Sequence, residues 1–203
     1  MKVKDMTKGN ELKLIILFSL PLMLGNIFQQ LYTVCDTIIV SRHLGVKALA
    51  AIGCCDWLTW MGIAVVTGLA QGFSITVSHA FGTHDKSNVQ KCISALVVNA
   101  IISTVVLLAI IYPLLPRILV LLKTPVDIMD RALAYTHVIY IGLFATMFYN
   151  ALASILRAFG NSKTPLHAMI IASICNLGLD VLFVMGLEWG IIGAGVATVI
   201  AQI

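Results

Sequence analysis

The chain has 203 residues, of which 60% are hydrophobic and only 11% charged, with a mean hydropathy of +0.99. Soluble domains run about 45–50% apolar and about 25% charged, and disordered chains need low hydrophobicity and high charge, so both classes are excluded. The net charge of +4 is not gathered into a nucleic-acid patch; lysines collect before the first apolar run (Lys2, Lys4, Lys8, Lys13), as on the flank of a membrane span.

Uncharged apolar stretches predict six transmembrane helices over about 14–40, 50–78, 92–116, 130–156, 164–187 and 190–203. The first five exceed the roughly 20 residues that cross about 30 Å of hydrocarbon. The sixth is short or cut. Runs of this length without a two-residue alternation are helices, since lipid leaves only helices or closed barrels. No cleavable leader is expected, because the first run is too long and lacks a small-residue cleavage site.

The predicted connections are Arg42–Lys47, Gly82–Lys91, Arg117–Arg131 (with room for a short interfacial turn), Arg157–Lys163 and Gly186–Gly190. Lys2, Lys4, Lys8, Lys13, Lys86, Lys91, Arg157 and Lys163 fall on one side. Arg42, Lys47, Arg117, Lys123 and Arg131 fall on the other. The positive-inside rule then places the N-terminus in the cytoplasm.

In the first span, Asp36 is a carboxylate in an apolar run. Such a residue faces a bundle interior or water-filled cavity, or else it sits at the interface. Asp56, at the start of the second span, suits the helix dipole and headgroups and is read as bland. Pro21 removes a backbone bond and marks either a hinge or a static bend. Between Pro21 and Asp36 lie Asn26, Gln29, Gln30 and Tyr32, too polar to face lipid throughout. In the fifth span, Asn176 and Asp180 are four residues apart and share a face. An amide oxygen beside a carboxylate offers hard ligands to a cation, or a carboxylate to a proton; the pair also suits an interhelical clamp.

Counted from the loops, Asp36, Asp180 and Thr198 all lie roughly 9–12 Å below one surface at about 1.5 Å per residue. The first, fifth and sixth spans are thus able to converge on one polar pocket. Two close carboxylates in a dry pocket cannot both ionise cheaply, and a bound proton or sodium ion relieves the cost. An ion-coupled switch works this way. GIIGAG (Gly190, Gly193, Gly195) suits close helix packing and lacks the lysine of a phosphate loop. The cysteines Cys35, Cys54, Cys55, Cys92 and Cys175 read as small buried hydrophobes. An enzyme would need acids, histidines or a nucleophile clustered at one face; His79 and His84 near Asp85 read as an ordinary solvated loop.

Four segments carry a resemblance. They are PLMLGNIFQQLYTVCDTIIVSRHLG, TGLAQGFSITVSHAFG, LRAFGNSKTP and NLGLDVLFVMGLEWGIIGAGVATVIAQ. Together and in order, they resemble the prokaryotic branch of the multidrug and toxic compound extrusion (MATE) transporters. The resemblance implies an all-α fold in which six helices form one lobe of a two-lobe, twelve-helix transporter. It implies residues 1–203 as the N-terminal lobe, without the C-terminal lobe. It implies a secondary transporter, not an enzyme, that exports amphipathic, often cationic drugs in exchange for Na+ or H+, with no other cofactor. Its cation site matches Asp36, Asn176, Asp180 and Thr198. Its drug cleft matches Gln29, Tyr32 and Asn150, and its bending proline matches Pro21. The implied setting is the plasma membrane, the inner membrane of a bacterium. The implied partners are small amphipathic drugs, the bilayer and a second lobe, with no nucleic acid. Two alternatives remain: a flippase for lipid-linked sugars, which expects several Arg or Lys inside the cleft, and a transport-inactive half with an assembly role. Basic residues confined to helix ends argue against the flippase.

Overall fold

A computed structural model describes residues 11–83 and 85–203, apart from the side chains of Glu11 and Lys13. The lysines Lys2, Lys4 and Lys8, the side chain of Lys13, and His84 lie outside the described residues. The described residues are helical almost throughout: α1 (Glu11–Leu44), α2 (Val46–Gly82), α3 (Lys86–Ile111), α4 (Leu115–Leu121), α5 (Val126–Ala158), α6 (Lys163–Asp180) and α7 (Gly190–Ala201). Five spans are long and apolar enough to cross a membrane: 14–44, 46–82, 86–121, 126–158 and 163–186. The helix Gly190–Ala201 is shorter.

The helices outrun the apolar stretches at several ends. Those predicted to start at 50, 92 and 130 start at Val46, Lys86 and Val126, and the first ends at Leu44 instead of Val40. Charged and polar residues at helix ends keep their heads in water while the backbone stays helical. The expected Arg42–Lys47 connection shrinks to Gly45 alone. Its φ of 77° is a conformation that glycine adopts without a side-chain clash. At the start of α3 the Asp85 carboxylate accepts bonds from the Ser87 and Asn88 N–H groups at 3.0 and 3.1 Å, so the helix begins before its apolar run. The third span breaks before its predicted end at 116. Pro113 falls in a 3-10 turn (Tyr112–Leu114), and α4 resumes the course to Leu121. The last helix ends at Ala201.

The longest interface joins α2 to α5. Its core holds Cys55, Leu58, Val66, Ala70, Tyr140, Leu143 and Met147. The buried Tyr140 hydroxyl donates to the Leu58 carbonyl at 2.9 Å. Gly62 makes room for this ring: a Cβ there would stand 3.2 Å from the tyrosine oxygen. Around this pair, α1 packs on α6, α3 covers α2, and α7 contacts both α5 and α6. A second small core (Val40, Ala48, Val184, Ala194) ties the end of α1 to α2, α7 and the segment after α6. The outward faces carry large apolar side chains such as Val98, Ile101, Phe148 and Ile171, as lipid contact requires.

Candidate functional site: a carboxylate pair beside a cavity

α1 and α6 run side by side in the same direction. A Cβ on Gly25 would stand 3.0 Å from the Met169 methyl, which sets how closely the two helices approach. Further along this seam Asp36 of α1 meets Asp180 of α6, their carboxyl groups within hydrogen-bonding reach of one another. Asp180 has no exposed surface. On both residues Oδ1 is buried and without a hydrogen-bond partner among the described residues. Two carboxylates are acceptors only, so a proton or cation between them is what makes the contact favourable.

Asn176, one turn before Asp180, is buried. In the amide orientation that matches donors to acceptors, its Nδ2 donates to Asp180 Oδ2 at 3.0 Å. Its Oδ1 accepts from the Thr198 N–H at 3.2 Å. The Thr198 hydroxyl donates to the Ala194 carbonyl at 3.0 Å and leaves its own lone pairs toward the pocket. The structure therefore brings Asp36, Asn176, Asp180 and Thr198 together. The amide serves α6–α7 attachment, with one oxygen of Asp180 held by it. Directly after Asp180 the α-helical pattern widens into a π-helical turn over Val181–Gly186, with Leu187 N–H bonding the Leu182 carbonyl at 2.8 Å. Such turns shift the helix register and recur at functional positions.

A cavity of about 440 Å³ opens between the α1/α6 seam and the α2/α5 pair. Pro21, Gln29 and Tyr32 line it from α1, and Asn150 lines it from α5. Asn176 and Thr198 form part of its wall. Asp36 and Asp180 stand behind them, off the lining. Tyr32 on the lining is an electrostatic neighbour of both carboxylates, so the pair adjoins the cavity wall at Tyr32 as well as at Asn176 and Thr198. Asp56 is exposed and lies off the lining, but α2 starts at Val46, so Asp56 stands ten residues into the helix and beyond reach of the helix dipole expected to favour it.

Several lining residues were not singled out from the sequence. Gln71, Thr146, Ser173 and Gln202 face the cavity, and Thr146 donates to the Gln202 side chain across α5 and α7. A polar residue inside an apolar run was the available signal. Tyr135 of α5 is an electrostatic neighbour of both Asp36 and Tyr32. One expectation needs correction. The expectation that basic residues at helix ends stay out of the cleft fails at Arg157, which lines the cavity. The last turn of α5 reaches inward beside α6, so a helix-end position here is also a cavity position.

The family model MatE matches residues 21–182. The chain is 33% identical over 202 residues to the probable multidrug resistance protein YpnP of Bacillus subtilis (strain 168), covering 100% of this chain and 45% of that protein. Among solved structures, a MOP superfamily transporter from Pyrococcus furiosus superposes with a TM-score of 0.89 at 29% identity, over 100% of this chain and 45% of the other. A MATE crystal structure in the bent conformation gives 0.86 at 30% identity, over 96% and 43%. The fold is thus one six-helix lobe of a twelve-helix, all-α membrane transporter architecture. The chain belongs to the MatE family, whose members are transporters and not enzymes. It spans about half the length of the relatives it matches.

Proposed function

We propose that this lobe serves a cation-coupled antiporter that exports amphipathic, often cationic drugs across the plasma membrane by alternating access. The single observation that carries the reading is the carboxylate pair with its orphaned buried oxygens, set just off a cavity lining that includes Tyr32, Asn176 and Thr198. In this reading the N-terminus is cytoplasmic, and a second lobe, on the same or another chain, completes the drug cleft. The oxygen set fits a hard cation: two carboxylates and a threonine hydroxyl, with the Asn176 amide as the positioning group. It fits a proton equally.

The residues divide the work as follows. With the pair unloaded, Asp36 and Asp180 repel, and the α1/α6 seam is held apart. An external Na+ or H+ bound between them draws α1 onto α6. Asn176 holds Asp180 to α7, so the pull passes to the cavity wall. Pro21 lacks the N–H that would bond back along α1, so the helix flexes there with little loss. The cavity lined by Gln29, Tyr32 and Asn150 narrows, and the drug leaves. Rocking of the lobes then releases the cation to the cytoplasm. A ligand moves such an equilibrium only by binding its two states unequally, which the pair's changing separation provides.

The test is ethidium efflux from cells making the chain together with its second lobe. Asp36→Asn and Asp180→Asn, at unchanged membrane abundance, are expected to abolish gradient-driven efflux. Normal efflux in both variants overturns the assignment. A sugar-lipid flippase expects several cationic side chains in the cleft, whereas among the described residues Arg157 alone is basic on the lining.

A further inference from the structure

The sequence LRAFGNSK ends α5 abruptly. Gly160 takes a φ of 75°, and the Gly160 and Asn161 N–H groups bond back to the Arg157 and Leu156 carbonyls at 2.9 Å each. This cap fixes the backbone from which Arg157 projects. The guanidinium Nη2 donates to Ser154 Oγ at 2.9 Å, and Ser154 is only 1% exposed. A buried hydroxyl thus pins the cation along α5 and takes one of its five N–H donors. Arg157 itself is half-buried and on the cavity lining. Among the described residues no carboxylate lines the cavity and none forms an ion pair with Arg157. The Asp36–Asp180 pair lies at the level of residue 180 on α6, whereas the lining near Arg157 is at residue 165, roughly 22 Å lower at about 1.5 Å per residue. Tyr149 is an electrostatic neighbour of Arg157; the rest of the lining includes the polar Asn150 and Gln71 and the apolar Ile63, Leu166 and Met169.

We propose that Arg157 is the anion anchor of this cavity: it holds the carboxylate, phosphate or sulfonate head of an amphipathic molecule whose apolar body lies along α2 and α6. The inference names a substrate feature for the cavity of the export reading and draws its biological sense from that reading. A fixed guanidinium recognises such heads through paired N–H donors, and a cavity of this size takes a drug-sized molecule. The head has two sources, a free amphipathic anion or an anionic lipid.

The test is equilibrium binding, without transport, to the chain in phosphatidylcholine nanodiscs. The probes are dansyl-aminoundecanoic acid and its neutral carboxamide, read by energy transfer from tryptophan. The wild-type chain is expected to bind the acid about ten-fold or more tightly than the carboxamide. Arg157→Gln should erase that preference and leave the carboxamide unchanged, which also shows that the cavity is formed. Arg157→Lys should keep part of it and carries the test if the glutamine variant fails to fold. An equal acid-to-amide ratio in wild type, or a parallel loss of both ligands in the variants, overturns the proposal. Adding phosphatidylglycerol separates the sources. Competition seen only with Arg157 present assigns the site to a lipid head, and undiminished acid binding assigns it to free amphipaths; either supports the anchor. Normal ethidium efflux in both Asp36→Asn and Asp180→Asn, with this preference intact, would overturn the coupling reading alone.

Discussion

Replacing Asp180 by asparagine separates cation binding from packing at the carboxylate pair. Asp180 has no exposed surface, its Oδ2 accepts from Asn176, and its buried Oδ1 has no partner among the described residues. Two unit negative charges about 4 Å apart repel by about 4 kcal/mol at an effective dielectric constant near 20. The introduced amide keeps an oxygen for the Asn176 donor and turns an N–H toward Asp36. It therefore does the work of the bound cation without one. A cation that binds only the folded chain stabilises it by about 2.7 kcal/mol at a hundred times its dissociation constant. For a chain of this size that is roughly 5–10 °C in melting temperature.

The assay is thermal unfolding of the chain in nanodiscs, followed by tryptophan fluorescence, with NaCl exchanged for choline chloride at constant ionic strength and repeated across pH. The wild-type chain is expected to gain stability with whichever ion it couples. Asp180→Asn should start near the ion-loaded wild-type melting temperature and show no further response. A variant that still responds like wild type refutes the reasoning, because the cation would then bind elsewhere. A wild-type chain indifferent to both ions refutes it as well.

Other perturbations test the supporting structure. Asn176→Ala leaves Asp180 Oδ2 without its donor and cuts the tie to α7; a loss of about 1.5–3 kcal/mol in the same melts is expected. Tyr140→Phe removes the bond to the Leu58 carbonyl and should cost about 1 kcal/mol, with ion response intact. At Gly142 an added Cβ would collide with Val199 Cγ2, so Gly142→Ala should destabilise by about 1–3 kcal/mol. Val199→Ala should rescue it, and strict additivity of the two changes would sink this account of the α5–α7 contact. Pro21→Ala supplies the missing N–H. If Pro21 is a hinge, efflux falls while the ion-dependent melting shift stays; unchanged efflux marks a static bend.

The spans are legible in the sequence because lipid demands long apolar runs, and Asp36 and Asp180 are legible because a carboxylate there is costly. Depth counting along the runs placed Asp36, Asp180 and Thr198 at one level, and the structure brings them together. Hydropathy is a poor guide to where a helix ends, since Lys47, Lys86 and Asp127 belong to helices that an apolar window trims away. The partners of Gln71, Thr146 and Gln202 are invisible to it, because a nearly all-apolar helix has no polar stripe to show which side faces a cavity. Arg157 illustrates the same limit. At a helix end, headgroups and a cavity mouth accept the same guanidinium, and only the packing of α6 beside α5 distinguishes them.

In the proposed antiport, the carboxylate pair need not touch the transported molecule. Asp36 and Asp180 lie off the cavity lining, next to its Tyr32, Asn176 and Thr198. Under that proposal, a cation at the pair is kept apart from a drug in the cavity, and the two would not compete for the same oxygen atoms. What they share is the position of the wall. Asn176 is bonded to Asp180 within α6 and to the α7 backbone, so α6 and α7 shift together when the α1/α6 separation changes, and the lining at Asn176 and Thr198 shifts with them. Losing the amide's bond to the carboxylate costs about 1.5–3 kcal/mol, which falls within the 1–3 kcal/mol range typical of coupling between two sites. Weakening the Asn176 tie while keeping both carboxylates should therefore leave cation binding measurable and uncouple it from the cavity. Asn176→Ala that lost both together would place the amide among the cation's own ligands, and one that lost neither would remove the tie from the mechanism.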